Sequence, residues 1–182
     1  VGMAESGNAW ITISTDDGVT WQNAYLPAHL PLYSVAGTDP SQMVSVGGSG
    51  FIVGPSNLTE RGGNVPVVER ILAIDFVNTD RGILIGENGL VRYTEDAGAT
   101  WSTPIRTMPA TYTDVAWTSR DVAYAVGEGG LLIRTLDAGK TWKMRPIENE
   151  RNDMKRIEAY RNELWVATLS SDIIVSRDRG NG

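Results

Sequence analysis

The sequence has no cysteine among its 182 residues. This excludes disulfides and thiolate-held metal centres, and it removes the residue from which a redox compartment is read. Histidine is nearly absent too, and the single His29 cannot form a metal-binding His cluster. Basic residues are outnumbered, with 16 Lys and Arg against 22 Asp and Glu for a formal net charge of -6. A general nucleic-acid binder needs a basic face to neutralise phosphates, so that class is excluded, although local basic patches remain open. No apolar run approaches the roughly 20 residues that span a bilayer. The longest, such as "VPVVERILAIDFV", are broken by charge at strand-like intervals. Long amphipathic helices are missing as well. The one candidate, "NERNDMKRIEAYRNEL" (149–164), reads by register as a polar loop followed by an inner strand. No secretory signal heads the chain, which opens on Val1 and so reads as a mature form, an expressed portion or a fragment.

What the sequence does have is a repeat. "STDDGVTW" begins at 14, "TEDAGATW" at 94, "TLDAGKTW" at 135 and a shortened "SRDRG" at 176. The separations are 80, 41 and 41 residues, so one copy is due near 55. There "PSNLTERG" has lost the box, yet upstream "VGGSGFIV" (46–53) still aligns with "IGENGLV" (85–91) and "VGEGGLLI" (126–133). Within the clearest period four short strands are expected: "YTDVAWT" (112–118), "VAYAVG" (122–127), "LLIRT" (131–135) and "TWKMRPI" (141–147). Four strands per roughly 40 residues, joined by tight glycine turns, describe one blade of a β-propeller. The fold class is therefore all-β, a single propeller domain or a fragment of one over 1–182. Its blades of four antiparallel strands fall at about 1–27, 28–69, 70–107, 108–148 and 149–182.

The box itself reads as architecture. Gly18, Gly98, Gly139 and Gly180 supply the positive φ that a hairpin turn requires. Asp16, Asp96, Asp137 and Asp178 can accept backbone N–H groups across that turn. Trp21, Trp101 and Trp142 are expected to lay their rings on the hairpins just left, at equivalent and largely buried positions. As acids the aspartates are badly placed, because glycosidases set two carboxylates about 5 to 10 Å apart across one bond. Repeated turns instead spread them around a rim.

Ser/Thr-x-Asp-x-Gly-x-Thr-Trp is the Asp box, or BNR repeat, shared by sialidases, sortilin-type receptors, xyloglucan-cleaving glycosidases and photosystem II stability/assembly factors. The flanks "DVAYAVGEGGLLIRTLDAGKTW" (121–142) and "RGILIGENGLVRYTEDAGATW" (81–101) resemble the assembly-factor type. That resemblance covers nearly the whole chain, strongly in three blades and weakly around 55–70. It implies a non-enzymatic, protein-binding propeller with an arginine patch, though no motif assigns the patch to positions here. It also implies an extracytoplasmic setting, periplasm or thylakoid lumen, or else a virion surface. Family members resemble closed rings of seven blades, which need roughly 290 residues at this period. Here three strands, three full blades and three more strands are expected. The chain then reads as a piece of a larger ring, a five-bladed ring with two thin blades, or a subunit completed by another chain. Its unpaired end strands should recruit partners or copies.

Other motifs dissolve on inspection. Gly-Lys-Thr in "AGKTW" lacks its first phosphate-loop glycine, since that position is Arg134. "GGSG" (47–50) has neither the spacing nor the histidine of a nucleophile elbow. Asn57-Leu58-Thr59 is a glycosylation sequon, meaningful only in a secreted eukaryotic protein. The Arg-Ile-Pro of sialidases is absent. No cofactor, metal or catalytic residue is expected. Arg92, Arg106, Arg134, Arg145, Arg156 and Arg161 read either as charges guarding strand edges or as a patch for a carboxylate-bearing segment. Propeller ligands meet the face made by second-to-third-strand turns and blade connections. The candidate partner-binding residues there are Glu87, Asn88, Glu128, His29, Arg106 and Arg145, with Tyr33 and Tyr112 nearby. Two rival readings are a structural or receptor-binding module of a phage virion or cell-surface assembly, and a carbohydrate-binding or glycosidase-type propeller.

Overall fold

The computed structural model describes residues 2–3, 9–14, 16–25, 31–39, 42–54, 59–60, 68–148 and 150–178. Their strands form five antiparallel meanders in chain order. The first joins β1 (Gly2–Met3), β2 (Ala9–Ile13) and β3 (Gln22–Tyr25). The second holds β4 (Leu32–Ala36), β5 (Val44–Gly47), β6 (Ile52–Gly54) and β7 (Thr59–Glu60). The third holds β8 (Ile71–Phe76), β9 (Gly82–Gly86), β10 (Leu90–Thr94) and β11 (Ile105–Arg106). The fourth holds β12 (Tyr112–Trp117), β13 (Ala123–Gly127), β14 (Leu132–Thr135) and β15 (Lys143–Met144). The fifth has β16 (Met154–Tyr160), β17 (Glu163–Thr168) and β18 (Ile173–Ser176). The helical candidate at 149–164 thus supplies a loop and then β16, and no α-helix occurs among the described residues.

The sheets pack face against face in chain order, and among the described residues the series does not close into a ring. Apolar layers sit between consecutive sheets. Val44, Ile74, Leu84 and Trp101 lie between the second and third, and Ile83, Val91, Val115 and Ile133 between the third and fourth. Tyr124, Leu132, Ile157 and Val166 lie between the fourth and fifth. A sheet covered on both faces buries every residue of its second strand. Hence "GILIG" of β9 and "AYAVG" of β13 are unbroken apolar runs with all five residues buried. In β17, "ELWVAT", burial alternates and Trp165 is 43% exposed, because no sheet covers its far face among the described residues.

In the second, third and fourth sheets the glycine that ends the second strand is required by space. A Cβ on Gly47, Gly86 or Gly127 would stand 2.0, 2.1 or 2.3 Å from the carbonyl oxygen of Pro31, Arg70 or Thr111. The next residue's N–H donates to that same carbonyl in all three sheets, at 2.9 to 3.1 Å. Each blade connection is thereby clamped to the second-to-third-strand turn of the sheet it enters. Gly86→Ala should lower unfolding free energy by at least about 1 to 3 kcal/mol, the range for overpacking. Urea unfolding would measure it, and a loss within about 0.5 kcal/mol, as at an ordinary surface site, would show that the connection moves away freely.

Inner strands are also tied across sheet boundaries by side chains. The Asp75 carboxylate on β8 accepts the Trp117 N–H of β12 at 3.2 Å, and the Trp117 indole donates to the Asp75 carbonyl at 3.2 Å. One sheet further on, Asp114 accepts the Ile157 N–H at 2.9 Å, and Thr113 Oγ1 donates to the Met154 carbonyl at 2.6 Å.

The candidate partner face and the box turns

Three box turns share one hydrogen-bond set. The opening Ser14, Thr94 or Thr135 hydroxyl donates to the box aspartate at 2.8 Å and accepts the box glycine's N–H at 2.8 to 2.9 Å. The aspartate then accepts the N–H of Thr20, Thr100 or Thr141 at 2.8 Å and the same residue's hydroxyl at 2.5 to 2.6 Å. Gly18, Gly98 and Gly139 have φ of +87°, +79° and +92°. The residue before each, Asp17, Ala97 or Ala138, is left-handed as well, at +54° to +59°. Two consecutive positive φ values make a primed-type hairpin turn, which glycine spacing alone did not reveal. The N–H groups of Ala97 and Ala138 donate to the backbone carbonyls of Asp80 and Asp121, so these two box turns rest on the first-to-second-strand turns of their own sheets.

These bonds fix the charge of the aspartates. At Asp16 the Thr20 hydroxyl is the main cause of a lowered pKa. At Asp96 and Asp137 burial pushes upward, but the donors from Thr100 and Thr141 outweigh it, and both end below the usual carboxylate value. A glycosidic acid must be held protonated. These carboxyls are held ionised and are engaged within their own turns. In the fourth box Ser176 donates to Asp178 at 2.5 Å, while Gly180 lies outside the described residues.

The tryptophans are not equivalent. Trp101 is buried, edge-on to Phe76 with centroids 6.4 Å apart. Trp21 is 61% exposed and Trp142 half-buried, and their indoles donate to Gly18 and Gly139 carbonyls at 2.9 and 3.0 Å. The expectation of three buried rings is corrected for a geometric reason. A box packs on the sheet before its own: a Cβ at Gly98 would meet Val44, and one at Gly139 would meet Ile83 and Tyr93. The first sheet has no preceding sheet among the described residues, so Trp21 stays uncovered.

On the opposite side, part of the expected face assembles at the turn Glu87–Gly89. Arg70 is ion-paired to Glu87, and the Tyr33 hydroxyl adjoins the same guanidinium. Arg106 reaches Glu69 at 2.7 Å and the Asn88 carbonyl at 3.4 Å. The Arg70 hydrogen bond is the main cause holding Glu87 below its usual pKa. Glu69 is pushed up by burial but ends lowered by its own backbone N–H and by Arg106. Tyr33, Glu87, Asn88 and Arg106 therefore share a cluster that also contains Arg70, which the sequence reading passed over. Its signal was available in register, since Arg70 occupies the clamped connection position of Pro31 and Thr111.

The remaining candidates fall elsewhere. Glu128 is exposed on the next turn, and Arg145 lines a cavity between the fourth and fifth sheets. Tyr112 is fully buried with its hydroxyl bonded to Thr107, so it cannot touch a partner. Its level in the repeat faces the inter-sheet core, as Leu32 and Ile71 do. His29 lies outside the described residues. Arg92, expected at a strand edge, is buried, with Nε donating to the Ser102 carbonyl at 2.6 Å and burial lowering its pKa. Asp75 and Asp114 are displaced the other way. Burial is the main cause in both, and it raises Asp75 to about 6 against the N–H bonds from Trp117 and Phe76. No group of three or more metal-ligating side chains occurs among the described residues.

A family model described as photosynthesis system II assembly factor YCF48 matches residues 105–182. The solved structure of YCF48 bound to D1 peptide is similar at a TM-score of 0.54 and 24% identity, over 62% of this chain and 38% of that one. YCF48 from Cyanidioschyzon merolae gives 0.52 and 26%, over 60% and 37%. The match thus spans well under half the length of either YCF48 chain. The WD40 β-propeller domain of Doa1 superposes over 98% of this chain and 61% of its own, at a TM-score of 0.70 and 10% identity. No curated protein matches significantly. Together with the repeated turns, these likenesses make the chain a BNR-repeat β-propeller that resembles the photosystem II assembly factors.

Proposed function

We propose that this propeller is a non-enzymatic, protein-binding scaffold of the assembly-factor kind, and that a carboxylate-bearing partner segment docks at the turn Glu87–Gly89. The observation that carries the reading is the convergence of two guanidiniums, Arg70 and Arg106, on one turn of an acidic protein. Their side chains are 56% and 44% exposed. Each is held in place by a glutamate, so a fixed donor array awaits an incoming carboxylate without rotamer searching. A related propeller solved with a peptide bound supports the peptide class of partner.

The test replaces Arg70 and Arg106 together by Gln and measures binding of an acidic peptide with a free C-terminal carboxylate at low and high salt. Affinity should fall by roughly tenfold or more, since a shielded charge-assisted contact contributes about 1.5 to 3 kcal/mol. Its salt dependence should flatten, with the melting temperature little changed. Arg120→Gln, on the box side of the fourth sheet, is the comparison. Equal losses from both variants would reduce the effect to net charge and remove the proposed face.

A further inference from the structure

Two sheet boundaries are tied by the same bonds but sit among different charges. Between the third and fourth sheets, Asp75 accepts the Phe76 N–H with one carboxylate oxygen at 2.8 Å and the Trp117 N–H with the other at 3.2 Å. Between the fourth and fifth, Asp114 accepts the Val115 N–H at 3.0 Å and the Ile157 N–H at 2.9 Å. Each carboxylate bridges its own inner strand to the next from a partly buried position. Among the strands packed on β8, β5 and β9 carry no titratable side chain, and β4 carries only Tyr33, engaged with Arg70. β12 brings Asp114 and the buried Tyr112, whose hydroxyl is bonded to Thr107, and beyond it β16 brings Glu158. The charges acting most on Asp75 are therefore both negative. Around Asp114, β13 adds Tyr124, while on β16 Lys155 is paired with Asp153 and Tyr160 lies under Arg161. Arg156 and Glu158 remain, and the pull of Arg156 outweighs the push of Glu158.

We infer that the boundary between the third and fourth sheets is a pH-set latch: protonated Asp75 holds β8 to β12, and its ionisation, opposed by Asp114 and Glu158, releases the two strands locally. The next boundary, with Arg156 as counter-charge, stays shut. The direction follows from solvation. A charged carboxyl at the edge of an apolar layer gains by reaching water, and two nearby acids add to that drive. Burial is the main cause that lifts Asp75 to about 6, against its two N–H bonds. A raised folded value means that closure is fully present below 3.8 and weakens as pH climbs through about 6. The opening equilibrium should grow by up to roughly a hundredfold across that window.

Hydrogen exchange on the 182-residue protein, followed residue by residue by NMR, tests this. Protection of the Trp117 backbone and indole N–H groups should fall by up to roughly a hundredfold between pH 3.8 and about 6. Above that window Trp117 exchange should be insensitive to low urea, as a local opening is, while amides of β5 respond to urea as global unfolding does. Asp75→Asn should remove the pH dependence at Trp117. Arg156→Gln, at an exposed position, should confer it on the Ile157 N–H, which then loses protection severalfold more over the window than in the parent. Flat Trp117 protection in the parent overturns the proposal. So does Trp117 exchange that rises with urea in step with β5, which would mean that only global unfolding senses the carboxyl. Unchanged Ile157 protection in Arg156→Gln overturns it as well, because the neighbouring charges would then not decide which boundary opens.

Discussion

Trp101→Ala is expected to destabilise the protein by about 3 to 5 kcal/mol, the range for removing a large buried aromatic. Trp21→Ala, the same change at the same box position, should stay within about 0.5 kcal/mol, as surface substitutions do. The contrast follows from what stands in front of each box. Trp101 fills the wedge between the second and third sheets beside Val44, Phe76 and Leu84, whereas Trp21 is mostly exposed. Chemical unfolding of the two variants against the parent measures both values. Similar losses at the two positions would mean that the box ring acts on its own hairpin and that the neighbouring sheet contributes little. A small loss at Trp101 would mean that the wedge collapses around the missing ring.

Asp75 should give the next largest effect, with a sign opposite to ordinary acid denaturation. Its folded pKa is raised from 3.8 to about 6, chiefly by burial. The folded state therefore binds this proton more tightly than the unfolded state. The carboxyl is harmless below the unfolded value, and stability falls as pH climbs from there through the folded value. The full swing is about 3 kcal/mol. In Asp75→Asn that swing disappears. The difference in unfolding free energy between variant and parent should then move in the variant's favour across the window from 3.8 to about 6. A constant offset from the lost acceptor, which serves the Phe76 and Trp117 N–H groups, leaves the slope unaffected. The box aspartates act in the opposite sense, since their lowered pKa values stabilise the fold at neutral pH and that stability is lost in acid. They are present in both proteins and cancel in the comparison. A difference that stays flat over the window would show that Asp75 titrates as an exposed carboxyl.

The sequence by itself determined the repeat, the antiparallel strand class and the chemistry of the box. All three are local. A turn is specified by residues within eight positions, so Asp96, Gly98 and Thr100 announce their mutual hydrogen bonds in their spacing. Middle strands that are apolar at every position, as in β9 and β13, announce that both faces are covered. Tertiary structure decided what depends on the neighbouring sheet. Identical box tryptophans became one buried, one half-buried and one exposed ring, and the exposed Trp21 has no sheet before its own among the described residues, where the covering sheet would lie about one period earlier in the chain. Tyr112 was lost from the face to the core for the same reason, and Arg92 went inward to cap the carbonyls of Trp101 and Ser102. The pairing of Arg70 with Glu87 and of Arg106 with Glu69 joins positions 17 and 37 residues apart. The ties from Asp75 to Trp117 and from Asp114 to Ile157 span 42 and 43. No local pattern marks such pairs. They exist because the connection entering a sheet lies beside the second-to-third-strand turn of that sheet's own meander, while the inner strand itself lies against the inner strand of the next sheet.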